Sequence, residues 1–347
     1  MKMGKVLNAN RLIDILVKLG KQLQELDEQF DHLIESAHQY NAWFISKNVR
    51  QAILLIGNML NREDLTHWFS LQKRKEVSIH EIKKVGLILA GNIPAVGFHD
   101  ILCVLVSGHQ ALIKMSSQDQ KLIPYMLQKL IEIEPAFEEQ LVYIDRLKGF
   151  DAVIATGSNN TSRYFDYYFK RVPHIIRKNR NSIAVFTGDE TAADLTQVGD
   201  DIFGYFGLGC RNVSKLYVPI GYDFKSFFEA IEQFKWVGNQ SKYNNNYDYN
   251  KSIFLVNRDK HLDNGFLLVK PSESLQSPLA TLYYEEYDDV KSLEKKLKPL
   301  NNQIQCIVTP IPLNLDIQQV HFGNSQKPKL WDYADGVDTM HFLSGIN

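Results

Sequence analysis

The sequence has few cysteines, no long apolar run and no excess of charge of one sign. Its 39 basic residues nearly balance its 40 acidic ones. The chain therefore has no overall positive charge that would attract nucleic acid or an anionic membrane. The most apolar stretch, 95–108, is interrupted by His99 and Asp100 and is too short to span a bilayer. The N-terminal segment lacks the continuous apolar core of a signal peptide. We therefore expect no membrane span and no nucleic-acid partner.

The positions of the few cysteines indicate the redox environment of the protein. They are widely spaced along the chain, at Cys103, Cys210 and Cys306. This spacing argues against a disulfide framework and against a zinc site, and it favours a reducing environment. We expect a cytoplasmic protein with no metal.

Two kinds of apolar pattern divide the chain. Residues 9–75 have apolar side chains at helical spacing, as at Leu12, Ile15 and Leu16. From Lys84 onward, short and uniformly apolar segments alternate with amphipathic ones, which predicts a parallel sheet covered by helices on both faces. The predicted strands are 85–91, 111–115, 141–145 and 152–156, followed by SIAVFTGD, KLYVP, FLLVK, ATLYYEEY and IQCIVTP.

These patterns predict an α/β protein with three regions. A helical N-terminal region (1–80) precedes a Rossmann-like parallel-sheet domain (81–181), which we expect residues 300–347 to complete, and a second α/β domain covers 182–299. The segment WVGNQSKYNNNYDYNKS at 236–252 is rich in Asn and Tyr and has no apolar period, so we predict a loop there.

The turn after the first predicted strand, GNIPAVG (91–97), lies where doubly wound sheets bind ligands. It does not have the GxGxxG spacing. The side-chain amide of Asn92 can donate a hydrogen bond to a developing oxyanion. The alternative is that Asn92 only shapes the turn before Pro94.

Two further polar segments follow predicted strands at the same edge of the sheet. In ATGSNNTS (155–162), the N–H groups at the start of a helix can bind a phosphate, or a side chain such as Ser158 simply caps that helix. Lys114 ends the second predicted strand in IKMSSQD. A lysine in this position either serves a ligand or is only solvated.

Cys210 follows Gly207-Leu208-Gly209 and precedes the predicted strand KLYVP. Nearby backbone N–H groups can lower a thiol pKa and glycines leave the approach open, so Cys210 is a candidate nucleophile. A buried, inert thiol is the alternative. Cys103 in ILCVLV and Cys306 in IQCIV have apolar neighbours, and we expect both to lie in the core.

Taken in order, these elements resemble the aldehyde dehydrogenase superfamily. The matching segments, at similar intervals, are Asn92-Ile93-Pro94, Lys114, Thr156-Gly157-Ser158 and Gly207-Leu208-Gly209-Cys210. Within the superfamily, LGCRNVSKLYVP and the ending DYADGVDTMHFL are most similar to the acyl-CoA reductase (LuxC-type) family. The resemblance covers residues from about 80 to 347. It implies an aldehyde dehydrogenase-like fold with a nicotinamide-binding domain at 81–181 and a catalytic domain at 182–299.

The resemblance also implies a reaction. Cys210 would attack an acyl-CoA or acyl-carrier thioester, with a fatty acyl group expected, and hydride transfer from the cofactor would release an aldehyde. Asn92 and the backbone N–H of Cys210 would form the oxyanion hole. The implied cofactor-binding residues are Lys114, Ser117, Thr156, Gly157, Ser158 and, for the nicotinamide ribose, Glu273 or Ser274.

Two departures from the superfamily pattern refine this expectation. Aldehyde-oxidising members have a Glu that activates water for hydrolysis of the acyl-enzyme, but the matching stretch HIIRKNRNS (174–182) has no acidic residue. His174 is the conventional base of that stretch and a candidate catalytic base, with a structural role as the alternative. Where oxidisers that use NAD often have a Glu three residues after Lys114, this chain has Ser117, which favours NADPH over NADH.

Two alternative functions stay open. One is an acyl-phosphate reductase of the same superfamily. The other is an acyl-thioester binding or acyl-transfer module that keeps the fold without hydride transfer, since the segment ESLQSPL (273–279) matches the nicotinamide-ribose motif poorly. A homo-oligomer is compatible with each of these functions.

Overall fold

The computed structural model describes residues 8–72, 81–157 and 159–346. By their contacts they form two compact units. Unit 1 comprises Met1–Lys178 and Lys329–Asn347, and unit 2 comprises Asn179–Pro328. Each unit is built around its own sheet.

Helices and strands alternate through most of the described chain. In chain order, the α-helices are α1 (Ala9–Glu25), α2 (Glu28–Ser36), α3 (Ser46–Met59), α4 (Arg62–Gln72), α5 (Phe98–Val106), α6 (Leu122–Ile133), α7 (Asn159–Phe169), α8 (Ala192–Phe203), α9 (Lys225–Ile231), α10 (Ser241–Asn257), α11 (Val290–Leu297) and α12 (Thr339–Ser344). The strands are β1 (Lys84–Ile88), β2 (Gln110–Lys114), β3 (Leu141–Tyr143), β4 (Ala152–Thr156), β5 (His174–Arg177), β6 (Asn181–Val185), β7 (Val213–Pro219), β8 (Leu262–Asp263), β9 (Leu268–Pro271), β10 (Thr281–Tyr287), β11 (Ile304–Val308) and β12 (Gln319–Val320). Among these described helices, none is long and apolar enough to cross a membrane.

The sheet of unit 1 has the order β3-β2-β1-β4-β5 in the described residues, and its strands are parallel. The register places Ile88 beside Lys114 on one side and beside Ala155 on the other. The carboxyl ends of the strands therefore share one edge. The chain order reverses on either side of β1, and in open α/β sheets the crevice at such a reversal is where ligands bind.

The core of unit 1 explains why the predicted strands form. Val85, Leu87 and Ile113 are fully buried between helices on both faces, as their uniformly apolar pattern predicts. The same hydrophobic cluster includes Leu16 of α1 and Leu343 of α12. The helical N-terminal region and the C-terminal segment thus share one core with the sheet.

A buried ion pair joins three parts of unit 1. At the end of β5, Arg177 donates from Nη2 to Oδ1 of Asp100 at 2.5 Å and from Nε to Oδ2 at 3.1 Å. It also donates to the carbonyl of Ala334 at 2.6 Å and to the hydroxyl of Thr339 at 2.9 Å. Because Asp100 lies in the first turn of α5, this one guanidinium connects β5, α5 and the C-terminal segment.

The sheet of unit 2 has the order β12-β11-β6-β7-β10-β9-β8 in the described residues. Its strands are parallel except for β8, which runs antiparallel to β9. The central strand β7 lies between β6 and β10. Ile183, Tyr217 and Ile307 lie in its core.

The bounds of the two units differ from those of the predicted domains. We expected residues 300–347 to complete the first domain, but β11 pairs with β6 in the sheet of unit 2, and Lys329–Asn347 is the part that joins unit 1. The apolar pattern of IQCIV predicts a buried strand without indicating which sheet that strand joins. The roles assigned to the domains stay predictions.

The Asn- and Tyr-rich segment 236–252 is not a loop, and that prediction was wrong. Residues 241–252 belong to α10, and residues 236–239 lie in a 3-10 helix at Glu232–Asn239. The buried side chains of α10 have helical spacing: Tyr243, Tyr247, Asn250 and Phe254. Tyrosine and asparagine carry the period here, with hydrogen bonds such as that from the Tyr243 hydroxyl to the carbonyl of Phe266 at 3.1 Å, so a search for aliphatic residues misses it.

The Arg177→Leu substitution should destabilise the protein by about 3–5 kcal/mol, because it leaves the buried Asp100 carboxylate unpaired. Urea denaturation followed by circular dichroism measures this loss. The control is Lys225→Ala, which removes an exposed ion pair with Glu229 and should cost less than about 1 kcal/mol. Equal losses in the two variants would contradict the structural role of Arg177.

Candidate functional site

The loop that carries Asn92 lies at the carboxyl edge of the unit 1 sheet, between β1 and α5. Asn92 itself is exposed. Ala95, three residues on, has a φ of 54°, a left-handed conformation that non-glycine residues seldom adopt. The loop therefore has a defined and unusual backbone course.

The structure brings other predicted residues to the same edge. Lys114 is half-buried at the end of β2, next to Ile88 in the register, and Ser117 is exposed in the following turn. Thr156 and Gly157 are half-buried at the end of β4. Ser158 lies outside the described residues.

Gly157 occupies a position where a side chain has little room. A Cβ atom there would lie 3.0 Å from the Phe165 ring and 3.1 Å from Cβ of Thr161. The strand end and α7 therefore approach each other closely after β4. The phosphate-binding role of this turn stays a prediction.

His174 is not brought to this edge. It begins β5, where it pairs with Val153, whereas Thr156 pairs with Arg177 at the other end of the strand. Three residues of extended chain, about 10 Å, separate the two ends. The His174 Nδ1 lies 2.8 Å from the carbonyl oxygen of Val172, a contact that fits the structural alternative.

The turn before Cys210 has three successive residues with positive φ. These angles are 49° at Tyr205, 58° at Phe206 and 79° at Gly207. The left-handed region suits glycine but strains the two aromatic residues. Both aromatic side chains are buried, and Phe206 packs against Trp236 with ring centroids 5.7 Å apart. Their burial holds the strained backbone in place.

Asn212 fixes the backbone around Cys210. Its Oδ1 accepts a hydrogen bond from the N–H of Gly209 at 2.8 Å, and its own N–H donates to the carbonyl of Gly209 at 3.0 Å. Its Nδ2 lies 2.8 Å from the carbonyl oxygen of Gly204 and 3.1 Å from that of Asp201. One buried amide thus ties the end of α8 to the turn that presents Cys210.

Cys210 is exposed, whereas Cys103 and Cys306 are buried. The predicted core positions of Cys103 and Cys306 are confirmed. Burial raises the pKa of the Cys103 thiol, which keeps it protonated and unreactive. The carbonyl of Cys210 accepts a hydrogen bond from the Ser182 hydroxyl at 3.0 Å, so β6 holds the Cys210 peptide while its side chain faces outward.

The segment that carries Glu273 is attached to β7, the strand that begins three residues after Cys210. Lys215 Nζ donates to the carbonyl of Glu273 at 2.9 Å, and the Ser214 hydroxyl donates to the carbonyl of Leu275 at 2.8 Å. The Glu273 side chain is exposed. The structure thus brings the candidate Glu273 and the Cys210 turn to the same strand of unit 2.

Lys215 is a fully buried cation in the centre of the sheet. Its Nζ lies 2.7 Å from Oε2 of Glu285 and 4.8 Å from the centroid of the Tyr217 ring. Burial lowers the pKa of Lys215 to about 8. A buried lysine needs such partners to remain charged.

The sequence alone did not identify Asn212 or Lys215 as residues that support the site. Asn212 lies just before the segment SKLYVP, where an Asn usually forms a turn. Lys215 lies within that segment, where a Lys is usually solvated. A charged residue inside an otherwise apolar strand was the one signal for Lys215. Nothing in the spacing of Asn212 indicates which carbonyl groups it contacts.

In the described part of the chain, no group of three or more His, Cys, Asp or Glu side chains could hold a metal ion.

Comparison with known families and curated sequences gives one match. A family model described as acyl-CoA reductase (LuxC) matches residues 16–223, which is more than half of the chain. No curated protein matches the sequence.

Solved structures give matches in fold. The chain is similar to aldehyde dehydrogenase 21 from Physcomitrella patens in complex with the reaction product succinate, with 12% identity and a TM-score of 0.68 over 97% of this chain and 84% of that chain. It is also similar to an NADP-dependent glyceraldehyde-3-phosphate dehydrogenase from Bacillus halodurans complexed with NADP, with 15% identity and a TM-score of 0.63 over 92% and 79%. A third match is the aldehyde dehydrogenase KauB from Pseudomonas aeruginosa, with 14% identity and a TM-score of 0.60 over 87% and 72%. The predicted aldehyde dehydrogenase-like fold is confirmed.

The cysteines should differ sharply in reactivity. Iodoacetamide should label Cys210 in the native protein, because its side chain is exposed, and should label Cys103 and Cys306 only after unfolding. Mass spectrometry of tryptic peptides measures each site, with the denatured protein as control. Native-state labelling of Cys103 as fast as that of Cys210 would contradict the arrangement described.

Proposed function

The chain belongs to the acyl-CoA reductase (LuxC) family, as its motifs predicted, and on this premise we propose that it reduces an acyl-CoA or acyl-carrier thioester to an aldehyde. Membership makes the chain an oxidoreductase of acyl or aldehyde groups. The observation that carries the finer proposal is that Cys210 is exposed on a hydrogen-bonded turn, whereas the other two cysteines are buried. We propose a fatty acyl substrate because that is what the family resemblance implies.

In the proposed reaction, the Cys210 thiolate attacks the acyl carbon and forms a new C–S bond. The C–S bond to the CoA or carrier breaks, and that sulfur leaves as a thiolate that takes up a proton. NADPH, when bound, would supply the hydride for the acyl carbon. The oxyanion formed by that addition collapses to the aldehyde carbonyl as the bond to Sγ breaks. The Cys210 sulfur leaves as a thiolate, which takes up a proton to restore the thiol.

Asn92 is the proposed side-chain donor to the negatively charged oxygen formed at each addition. An amide N–H held in place costs no reorganisation when charge develops, which is the main advantage of an oxyanion donor. Its exposure in a loop of defined backbone course supports this role.

The carboxyl edge of the unit 1 sheet fits a nicotinamide dinucleotide. Lys114, Thr156 and Gly157 would hold it there, on either side of the reversal in strand order. The choice of NADPH follows from Ser117, which is exposed and would not repel a 2′-phosphate. The nearest acidic side chain along this segment, Asp119, is buried and bonded to the backbone of Ala95, so it does not present a carboxylate to a ribose. Glu273 is proposed for the nicotinamide ribose.

The reductase proposal is tested by following NADPH absorbance with acyl-CoA substrates of increasing chain length, and with NADH in parallel. Wild-type protein should consume NADPH faster than NADH. Cys210→Ser should abolish turnover, and Asn92→Ala should lower kcat by about 10²–10³-fold, the usual effect of losing one oxyanion donor.

Cys103→Ala is the matched control, because it removes a buried thiol, and it should keep wild-type turnover. Cofactor consumption by Cys210→Ser would contradict the assignment of the nucleophile. An acyl adduct on wild-type protein without cofactor consumption would favour the acyl-transfer alternative, and turnover with an acyl phosphate in place of acyl-CoA would favour the acyl-phosphate reductase.

The acyl-enzyme should resist water but not thiols, since residues 174–182 contain no acidic side chain to activate water. Protein acylated without NADPH should keep its adduct in buffer and lose it when free CoA is added. Intact-mass spectrometry over time measures both rates. Rapid loss of the adduct as free acid, without any thiol, would contradict this prediction.

A further inference from the structure

Asp119 connects two of the segments of unit 1 to which the proposed function assigns chemistry, the Asn92 loop and the turn that contains Ser117. It lies in the turn that follows β2, two residues after Ser117, and it is only 1% exposed. Its Oδ2 accepts a hydrogen bond from the N–H of Ala95 at 2.8 Å. Its Oδ1 accepts one from the N–H of Leu122, the first residue of α6, at 3.3 Å.

The contact with Ala95 bears directly on Asn92. Ala95 follows Asn92 by three residues in the same loop and has a φ of 54°. A residue in this conformation is held there by its surroundings. Asp119 supplies one such restraint, because its carboxylate binds the Ala95 N–H.

A second buried side chain bridges the same two loops. Asn41, from the connection between α2 and α3, has its Nδ2 at 3.3 Å from the carbonyl oxygen of Gly91 and at 3.3 Å from that of Gln118. The loops also pack tightly, since a Cβ at Gly91 would lie 2.5 Å from the hydroxyl oxygen of Ser116. The Asn92 loop and the turn after Lys114 are thus connected at three points, one of them through the Asn41 side chain.

An ordinary helix cap does not account for this carboxylate. A capping side chain needs one oxygen, and Asn or Ser serves as well as Asp. A buried carboxylate carries a desolvation penalty, and burial raises the pKa of Asp119 to about 6. Burial and the Asp119 carboxylate raise the pKa of the Tyr40 hydroxyl, and the Lys121 ammonium lies 5.3 Å from the centroid of the Tyr40 ring. Compared with a capping Asn or Ser, the carboxylate has a second oxygen, and this oxygen accepts the hydrogen bond from the Ala95 N–H.

We propose that Asp119 is a positioning residue for Asn92: its carboxylate holds the Asn92 loop against the segment that carries Lys114 and Ser117, so that the amide is already in place when the acyl group reacts. This inference rests on the proposed function. Asp119 acts through the backbone of Ala95 and does not touch the substrate. Asn41 supports the same contact from the helical N-terminal region.

The test measures acylation alone, before any hydride transfer. Acyl-CoA is mixed with wild-type protein, Asp119→Asn, Asn92→Ala and the double variant without NADPH, and the Cys210 adduct is followed by rapid quench and mass spectrometry. Asp119→Asn keeps one oxygen to cap α6 but cannot accept at both positions. We expect its acylation rate to fall about 10- to 100-fold, within the range for a misplaced oxyanion donor. The double variant should be no slower than Asn92→Ala.

Non-additivity is the readout that a purely structural role would not produce. Equal rates in Asp119→Asn and wild type would overturn the proposal, and so would independent, multiplying losses in the double variant. Asp289→Asn is the matched control, since Asp289 caps α11 through the N–H of Ser292; it should acylate at the wild-type rate.

A second variant covers the case in which Asp119→Asn does not fold. Asn41→Ala removes the other bridge, and it should slow acylation in the wild-type background but not in the Asn92→Ala background. An unchanged rate in Asn41→Ala would then overturn the proposal. Failure of the proposed function is distinguishable, because wild-type protein itself would form no Cys210 adduct.

Discussion

A backbone N–H or carbonyl group that is buried needs a hydrogen-bond partner, and this requirement organises both loops that carry candidate catalytic residues. In the Cys210 turn, the side-chain amide of Asn212 supplies these partners: it accepts from the N–H of Gly209 and donates to carbonyl groups at the end of α8. Asp119 and Asn41 supply such partners beside Asn92. In both loops the candidate catalytic side chain is exposed, while a buried polar side chain holds the backbone. The exposed residue of each loop is thus accessible to a substrate, and the buried residue fixes its position.

Lys215 shows the same principle inside a sheet. A neutral residue could pack between β6 and β10 at less cost, since removing an ammonium from water is unfavourable. The lysine instead reaches the carbonyl of Glu273 and the carboxylate of Glu285. The strand that follows Cys210 therefore also fixes the segment proposed to hold the nicotinamide ribose. A change in the packing of β7 would alter both ends of the proposed hydride transfer.

The sequence predicted the parts of the molecule that depend on apolar pattern and failed where pattern is weak. Strands β1 to β4 of unit 1 were predicted because both faces of the sheet are covered, which makes residues such as Val85 and Ile113 uniformly apolar. The fifth described strand of that sheet, β5 (His174–Arg177), was not among the predicted strands. The helix α10 was missed because Tyr243 and Asn250 carry its period, and the sheet joined by β11 depends on pairing that no local pattern encodes. Motif order made Asn92, Lys114 and Cys210 candidate site residues. Asp119 bonds to a backbone N–H 24 residues away, and Asn212 bonds to backbone groups of the preceding turn and helix. Residue identity alone does not reveal such contacts.

The return of the chain to unit 1 has a consequence for biosynthesis. Unit 2 is one continuous stretch, so all of its residues are available once Pro328 has left the ribosome. The core of unit 1 includes Leu330 and Leu343, and Arg177 bonds to Ala334 and Thr339. The unit that begins first is therefore completed last, in contrast to the usual N-terminal-first order of domain folding. During synthesis, Arg177 therefore lacks its bonds to Ala334 and Thr339, and the core lacks Leu343, until the segment Lys329–Asn347 has been made.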